Sequence, residues 1–236
     1  MRMFLPIAVC VLTCTTACHA DVFSASFEAP TFPLGQLAGQ GGFTGSTVGQ
    51  VENGIVHTGS QAVVYNSSGN AGQNVTDVST SYTGAGVVTI QVAGRFSSNS
   101  PFTYFEVMSA SSSNGFLDQV VYNNGTVVLG LANTAVGSVA VTPDTWNTYD
   151  LVMNYGTQTA SAFVDGQFIG SGAFASSSTN LSSVAIGINF NFDANGNDTG
   201  YFDDLSVVAT PEPSSFVLLG TGLVGLVGAA RRKFRA

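Results

Sequence analysis

Basic side chains are almost missing from the middle of this sequence. The 236 residues include six Lys and Arg against fourteen Asp and Glu. Arg2 opens the chain, and Arg231, Arg232, Lys233 and Arg235 close it. Between residues 21 and 209 only Arg95 remains, facing thirteen acids, so this stretch carries a net charge of −12. Neutralising phosphates needs clustered Lys and Arg, so a nucleic-acid partner is excluded. Electrostatic attraction of this stretch to anionic headgroups is excluded on the same ground. Cysteine is confined to Cys10, Cys14 and Cys18. A chain cut after residue 20 therefore has no thiol, no disulfide and no cysteine metal site. His57 is the one histidine beyond residue 20, which leaves no His/Cys set for zinc. Amphipathic stripes of helical period are absent as well.

What is present at the two ends reads as addressing. Arg2 is followed by an apolar run, Phe4 to Leu12, too short to span a bilayer, and then by small residues. Cys18 and Ala20 occupy positions −3 and −1 of a cut before Asp21. Residues 1–20 thus have the make-up of a secretory signal peptide. Cys18 would alternatively be a lipidation site, but Thr15 stands where lipoprotein leaders favour Leu. At the other end, Ser214 to Ala230 is a 17-residue uncharged span. As a helix it measures about 25 Å, near the lower limit for crossing the hydrocarbon core. The basic residues 231–235 follow directly, which orients the tail inward and the body outward.

The middle, residues 21–209, alternates apolar and polar residues between turn signals. Strands are expected at 22–28, 55–57, 62–66, 87–96, 103–109, 117–122, 126–131, 146–154, 159–164, 168–170, 184–192 and 201–208. Asn124-Gly125 and Asp165-Gly166 have the make-up of two-residue type I′ hairpin turns. Tyr155-Gly156 marks a third reversal, and Asn66–Asn74 and Gly35–Gly49 read as linker and loop. The expected fold is all-β, two packed antiparallel sheets.

Candidate chemistry is sparse. Glu28, Glu52 and Glu106 are the only glutamates of the middle stretch. Glycoside hydrolysis needs two carboxylates flanking the bond, and none follows Glu106 at i+2 or i+5. Asp203 and Asp204 are adjacent on an expected strand, so alternation sends them to opposite faces, one bonding a loop and one exposed. No G-x-S-x-G elbow accompanies His57, which reads as a polar strand residue. Asp193, Asn195 and Asn197 alternate like the oxygens of a calcium loop, with Asp203 as a completing ligand, although no Glu closes the set. A surface turn has the same make-up. Trp146, at the head of a long alternating strand, is expected in the core.

Two resemblances add to this. Pro211-Glu212-Pro213, the Gly-rich apolar span and Arg231-Arg232-Lys233 at the extreme end resemble a PEP-CTERM sorting signal over residues 210–236. That resemblance implies a Gram-negative source and a membrane cysteine transpeptidase of the exosortase type as partner. It further implies transient anchoring in the inner membrane, release to the surface or matrix, and association with extracellular polysaccharide. The runs Thr145–Tyr155, Ala162–Gly170 and Gly200–Val207 resemble a concanavalin A-like, laminin G-like jelly roll. Together they imply a non-enzymatic exported protein without a resident cofactor, or, alternatively, a lectin-like carbohydrate-binding module, calcium-dependent or not.

Overall fold

In the computed structural model, residues 20–67, 72–97, 103–131, 134–190 and 198–210 are described, together with Gly220 and Gly222 in helical conformation. The leader, residues 191–197, the PEP motif and the basic tail lie outside them.

Among the described residues sixteen strands form two antiparallel sheets. The nine-stranded sheet contains β1 (Ala20–Ala25), β2 (Gly35–Gln36), β4 (Gln50–Glu52), β5 (Ala62–Asn66), β7 (Val87–Phe96), β12 (Asn147–Asn154), β13 (Thr159–Val164), β14 (Gln167–Ala173) and β16 (Thr199–Thr210). The seven-stranded sheet contains β3 (Phe43–Gly45), β6 (Gly72–Thr83), β8 (Thr103–Ser112), β9 (Gly115–Asn123), β10 (Thr126–Leu131), β11 (Thr134–Ala140) and β15 (Asn180–Phe190). The two-sheet antiparallel sandwich expected from the alternation is therefore present. Among the described residues no helix is long and apolar enough to cross a membrane.

Local chemistry explains the elements. In β12 the pattern is regular: Tyr149, Leu151 and Met153 are buried, and their neighbours face outward. Asn124 and Gly125 both take positive φ and join β9 to β10, and Asp165 and Gly166 do the same between β13 and β14. Right-handed strand twist favours such turns. The core lies between the sheets. Phe96 of β7 stacks on Phe105 of β8 at 5.0 Å and meets Tyr122, Tyr149 and Phe202. Burying each such ring contributes roughly 2–3 kcal/mol. Gly200 gives these rings room, because a Cβ there would collide with the Phe105 ring.

Several boundaries differ from the sequence expectation. Residues 55–57 are not a strand; they open a loop that lies on the nine-stranded sheet. The expected linker after Asn66 gives way at Gly72 to the long strand β6, and β11 has no counterpart among the expected strands. Gly35–Gly49, read as a loop, holds two short strands, β2 and β3. Trp146 precedes β12 and is half-buried, outside the core.

Candidate functional site

The described polar groups converge where β16 changes partner. Residues 199–202 of β16 pair with β5, and residues 205–209 pair with β1. Between them the register against β7 slips from Asp203 to Ser206. Asp204 takes a positive φ of 50° at this bulge. Strand alternation is broken there, so the two carboxylates do not diverge as expected; both serve the loop leading into β5.

Asp203 is completely buried. Its Oδ2 accepts the backbone N–H groups of His57 and Thr58 at 3.1 Å each, and its Oδ1 accepts Asp204 N–H at 2.8 Å. Burial pushes its pKa up to about 6, against the pull of the Thr58 N–H. The neighbouring Asp204 carboxylate adds to the rise, and the remaining N–H groups oppose it. Asp204, half-exposed, accepts the Thr58 hydroxyl at 2.9 Å and lies 2.9 Å from His57 Nδ1. The Trp146 ring packs on the imidazole with centroids 5.3 Å apart. His57 is thus a loop residue held by an aspartate and an indole. Among the described residues no hydroxyl bonds to its ring, and Thr58 donates to the aspartate instead.

Glu28 fixes the other end of the same loop. Its carboxylate accepts the Ser60 hydroxyl at 2.6 Å and the N–H groups of Ser60 and Gln61 at 2.7 and 2.9 Å. The Ser60 hydroxyl, then the two N–H groups, hold its pKa below the ordinary carboxylate range. Three acids of an acid-rich body are therefore spent on one loop, as acceptors for donors that would otherwise go unmatched.

Beside this loop lies a cleft of about 420 Å³, lined among others by Ser24, Glu28, Phe32, Gln91, Asp204 and Ser206. It is within the size range of small-ligand sites. Hydroxyl and amide groups line it beside carboxylates that the loop already engages, and its one aromatic ring, Phe32, is buried against Phe27 and Phe43. Gln91 at its edge is itself oriented, donating to Asp150 at 2.7 Å. Arg95, the one Lys or Arg among the described residues, pairs with Asp144 at 3.3 Å and covers the Tyr201 ring.

Of the four calcium candidates, Asp193, Asn195 and Asn197 lie outside the described residues, while Asp203 has both oxygens committed to backbone N–H groups. Among the described residues no three His, Cys, Asp or Glu side chains are grouped to hold a metal ion. Glu106 is buried on β8, and its strand neighbours are Gly187 and Val121, so no second carboxylate stands across from it. Of the sorting residues, Pro211, Glu212, Pro213, Arg231, Arg232 and Lys233 all lie outside the described set. Sequence reasoning missed the cleft and the Trp146–His57 contact; the converging Asp203-Asp204 pair was the available signal.

Comparison with known proteins bears on both parts of the chain. Residues 209–233 match the PEP-CTERM protein-sorting motif. No curated protein matches the sequence. Among solved structures, "Cellulose induced protein, Cip1" is similar at TM-score 0.54 and 14% identity, covering 78% of this chain and 96% of that one. The binding domain of botulinum neurotoxin serotype D/C is similar at TM-score 0.55 and 12% identity, covering 86% of this chain and 52% of the other. "Alginate lyase AlgAT5 from Polysaccharide Lyase family 7" is similar at TM-score 0.50 and 11% identity, covering 64% of this chain and 79% of that one. At such identities the likeness carries the fold alone. The chain is a jelly-roll sandwich that ends in a PEP-CTERM protein-sorting motif.

Proposed function

We propose that this protein is exported through its leader, held briefly in the inner membrane by residues 214–230, and sorted by an exosortase-type transpeptidase to the cell surface or matrix. The PEP-CTERM match carries this reading. Two prolines flanking Glu212 suit a processing site, because proline cannot continue a helix and disfavours helical backbone in the residue before it. The body acts there without catalysis, in contact with extracellular polysaccharide. That neither strand neighbour of Glu106 is a carboxylate, and that the Thr58 hydroxyl donates to Asp204 rather than to the His57 ring, support the non-enzymatic part. Replacing Pro211, Glu212 and Pro213 by alanine should trap the protein in the membrane fraction. Normal release of that variant would refute sorting through the motif.

The cleft favours a second reading, a lectin-like module that binds a defined glycan. With −12 on the body and its one cation engaged, that glycan is not acidic: a polyanion would meet repulsion with nothing to offset it. Saturable binding to a neutral polysaccharide, lost in Gln91→Ala, would support it. Equal binding of the variant, or binding only to acidic glycans, would exclude it.

A further inference from the structure

The acids of this body are unevenly placed along the strands. Val87, at the start of β7, pairs with Asn154 and Thr210, the last residues of β12 and β16. Ala20 and Ala209 pair beside them. Among the described residues, the loops at this end are 83–86, 111–115, 154–158 and 174–180, and none contains Asp, Glu, Lys, Arg or His. They are knit together: Tyr155 N–H donates to Gly86 O at 3.0 Å, Gly84 N–H to Thr179 O at 2.9 Å, and the Ser113 hydroxyl to Asn180 at 3.3 Å. Their exposed side chains are Thr83, Ala85, Ser113, Asn114, Thr157, Ser177 and Thr179. The one exposed charge at this end among the described residues is Asp21, whose own amino group would offset it once the leader is cut. The opposite end carries exposed Asp144 and Asp165 in its turns.

Chain length sets how close this end lies to the membrane. The sorting motif begins at residue 209, inside β16. Between Thr210 and the apolar span at Ser214 stand only Pro211, Glu212 and Pro213. That path reaches at most roughly 14 Å, comparable to the screening length of ~8–10 Å. Acidic loops held there would be repelled by anionic headgroups, whereas uncharged polar loops are not.

We infer that the charge-free loops 83–86, 111–115, 154–158 and 174–180 form the membrane-facing end of the anchored protein, resting on the lipid headgroups with the acidic end pointing away. This rests on the reading of residues 214–230 as a membrane anchor. Single cysteines are placed by Ser177→Cys at the near end or Asn124→Cys at the far end of the full chain, with Cys10, Cys14 and Cys18 changed to serine. Each is labelled with a fluorophore and reconstituted into phosphatidylethanolamine–phosphatidylglycerol vesicles containing headgroup-spin-labelled lipid. The ends are roughly 27 Å apart along an eight-residue strand, so the label at 177 should be quenched and that at 124 nearly unaffected. Adding Thr157→Asp and Thr179→Asp should reduce quenching at 177, and salt should restore it. Vesicles that float with the protein but quench both labels equally overturn the orientation alone. A protein that does not float with the vesicles overturns the anchoring on which it stands.

Discussion

Replacing Asp118 by asparagine should stabilise this protein, and by an amount that depends on pH in a defined way. Asp118 is completely buried on β9, and neither carboxylate oxygen has a hydrogen-bond partner among the described residues. Desolvation alone pushes its pKa from 3.8 up to about 8. The folded protein therefore keeps a proton that the unfolded chain releases. A raised pKa gives stability that is complete below pH 3.8 and drains away as the pH climbs to about 8. At pH 7 the loss is about three pH units at 1.36 kcal/mol each, on the order of 4 kcal/mol. The asparagine side chain binds no proton in either state and suffers no such loss, while its amide matches the shape of the carboxylic acid. At ~2–4 °C per kcal/mol for a domain of this size, Asp118→Asn should raise Tm by roughly 10 °C at pH 7. The gain should shrink to almost nothing at about pH 3, where the folded and the unfolded chain both hold the proton. Thermal unfolding of both proteins across that range reads the difference directly. A Tm difference independent of pH, or a variant less stable at pH 7, would refute the reasoning.

Other perturbations test the packing and the loop. Asp203→Ala strips the acceptor from three N–H groups and should cost roughly 3 kcal/mol or more, read by chemical denaturation, with faster proteolysis near residue 57; unchanged stability would contradict the role given to it. Gly200→Ala forces a methyl into the Phe105 ring and should cost about 1–3 kcal/mol in the same measurement. Trp146→Ala should leave stability nearly unchanged, because the indole lies outside the core; a loss as large as that of a core aromatic would show otherwise.

Much of the fold was legible because burial on one face forces alternation, as in β12, and because Asn124-Gly125 and Asp165-Gly166 announce their turns. The strands that escaped notice have physical reasons. In β6, polar residues such as Thr76, which accepts the Tyr65 hydroxyl, take core positions, so no apolar pattern appears. The strand β11 lies at a sheet edge, and its Gly137 packs directly on the backbone at Ile169. Backbone-to-backbone contact leaves no hydrophobic signature. The site was half legible: one aspartate bonding a loop was expected, but the bulge at Asp204 and the change of partner along β16 are non-local. Nothing near His57 in the sequence indicates that Trp146 lies against it.

The most direct test of the account is the intact mass of the protein from its native host, measured in both membranes and medium. Sorting predicts a released form lacking residues 1–20 and the segment beyond the Pro-Glu-Pro motif. A protein found only in membranes, with residues 214–236 intact, would contradict it.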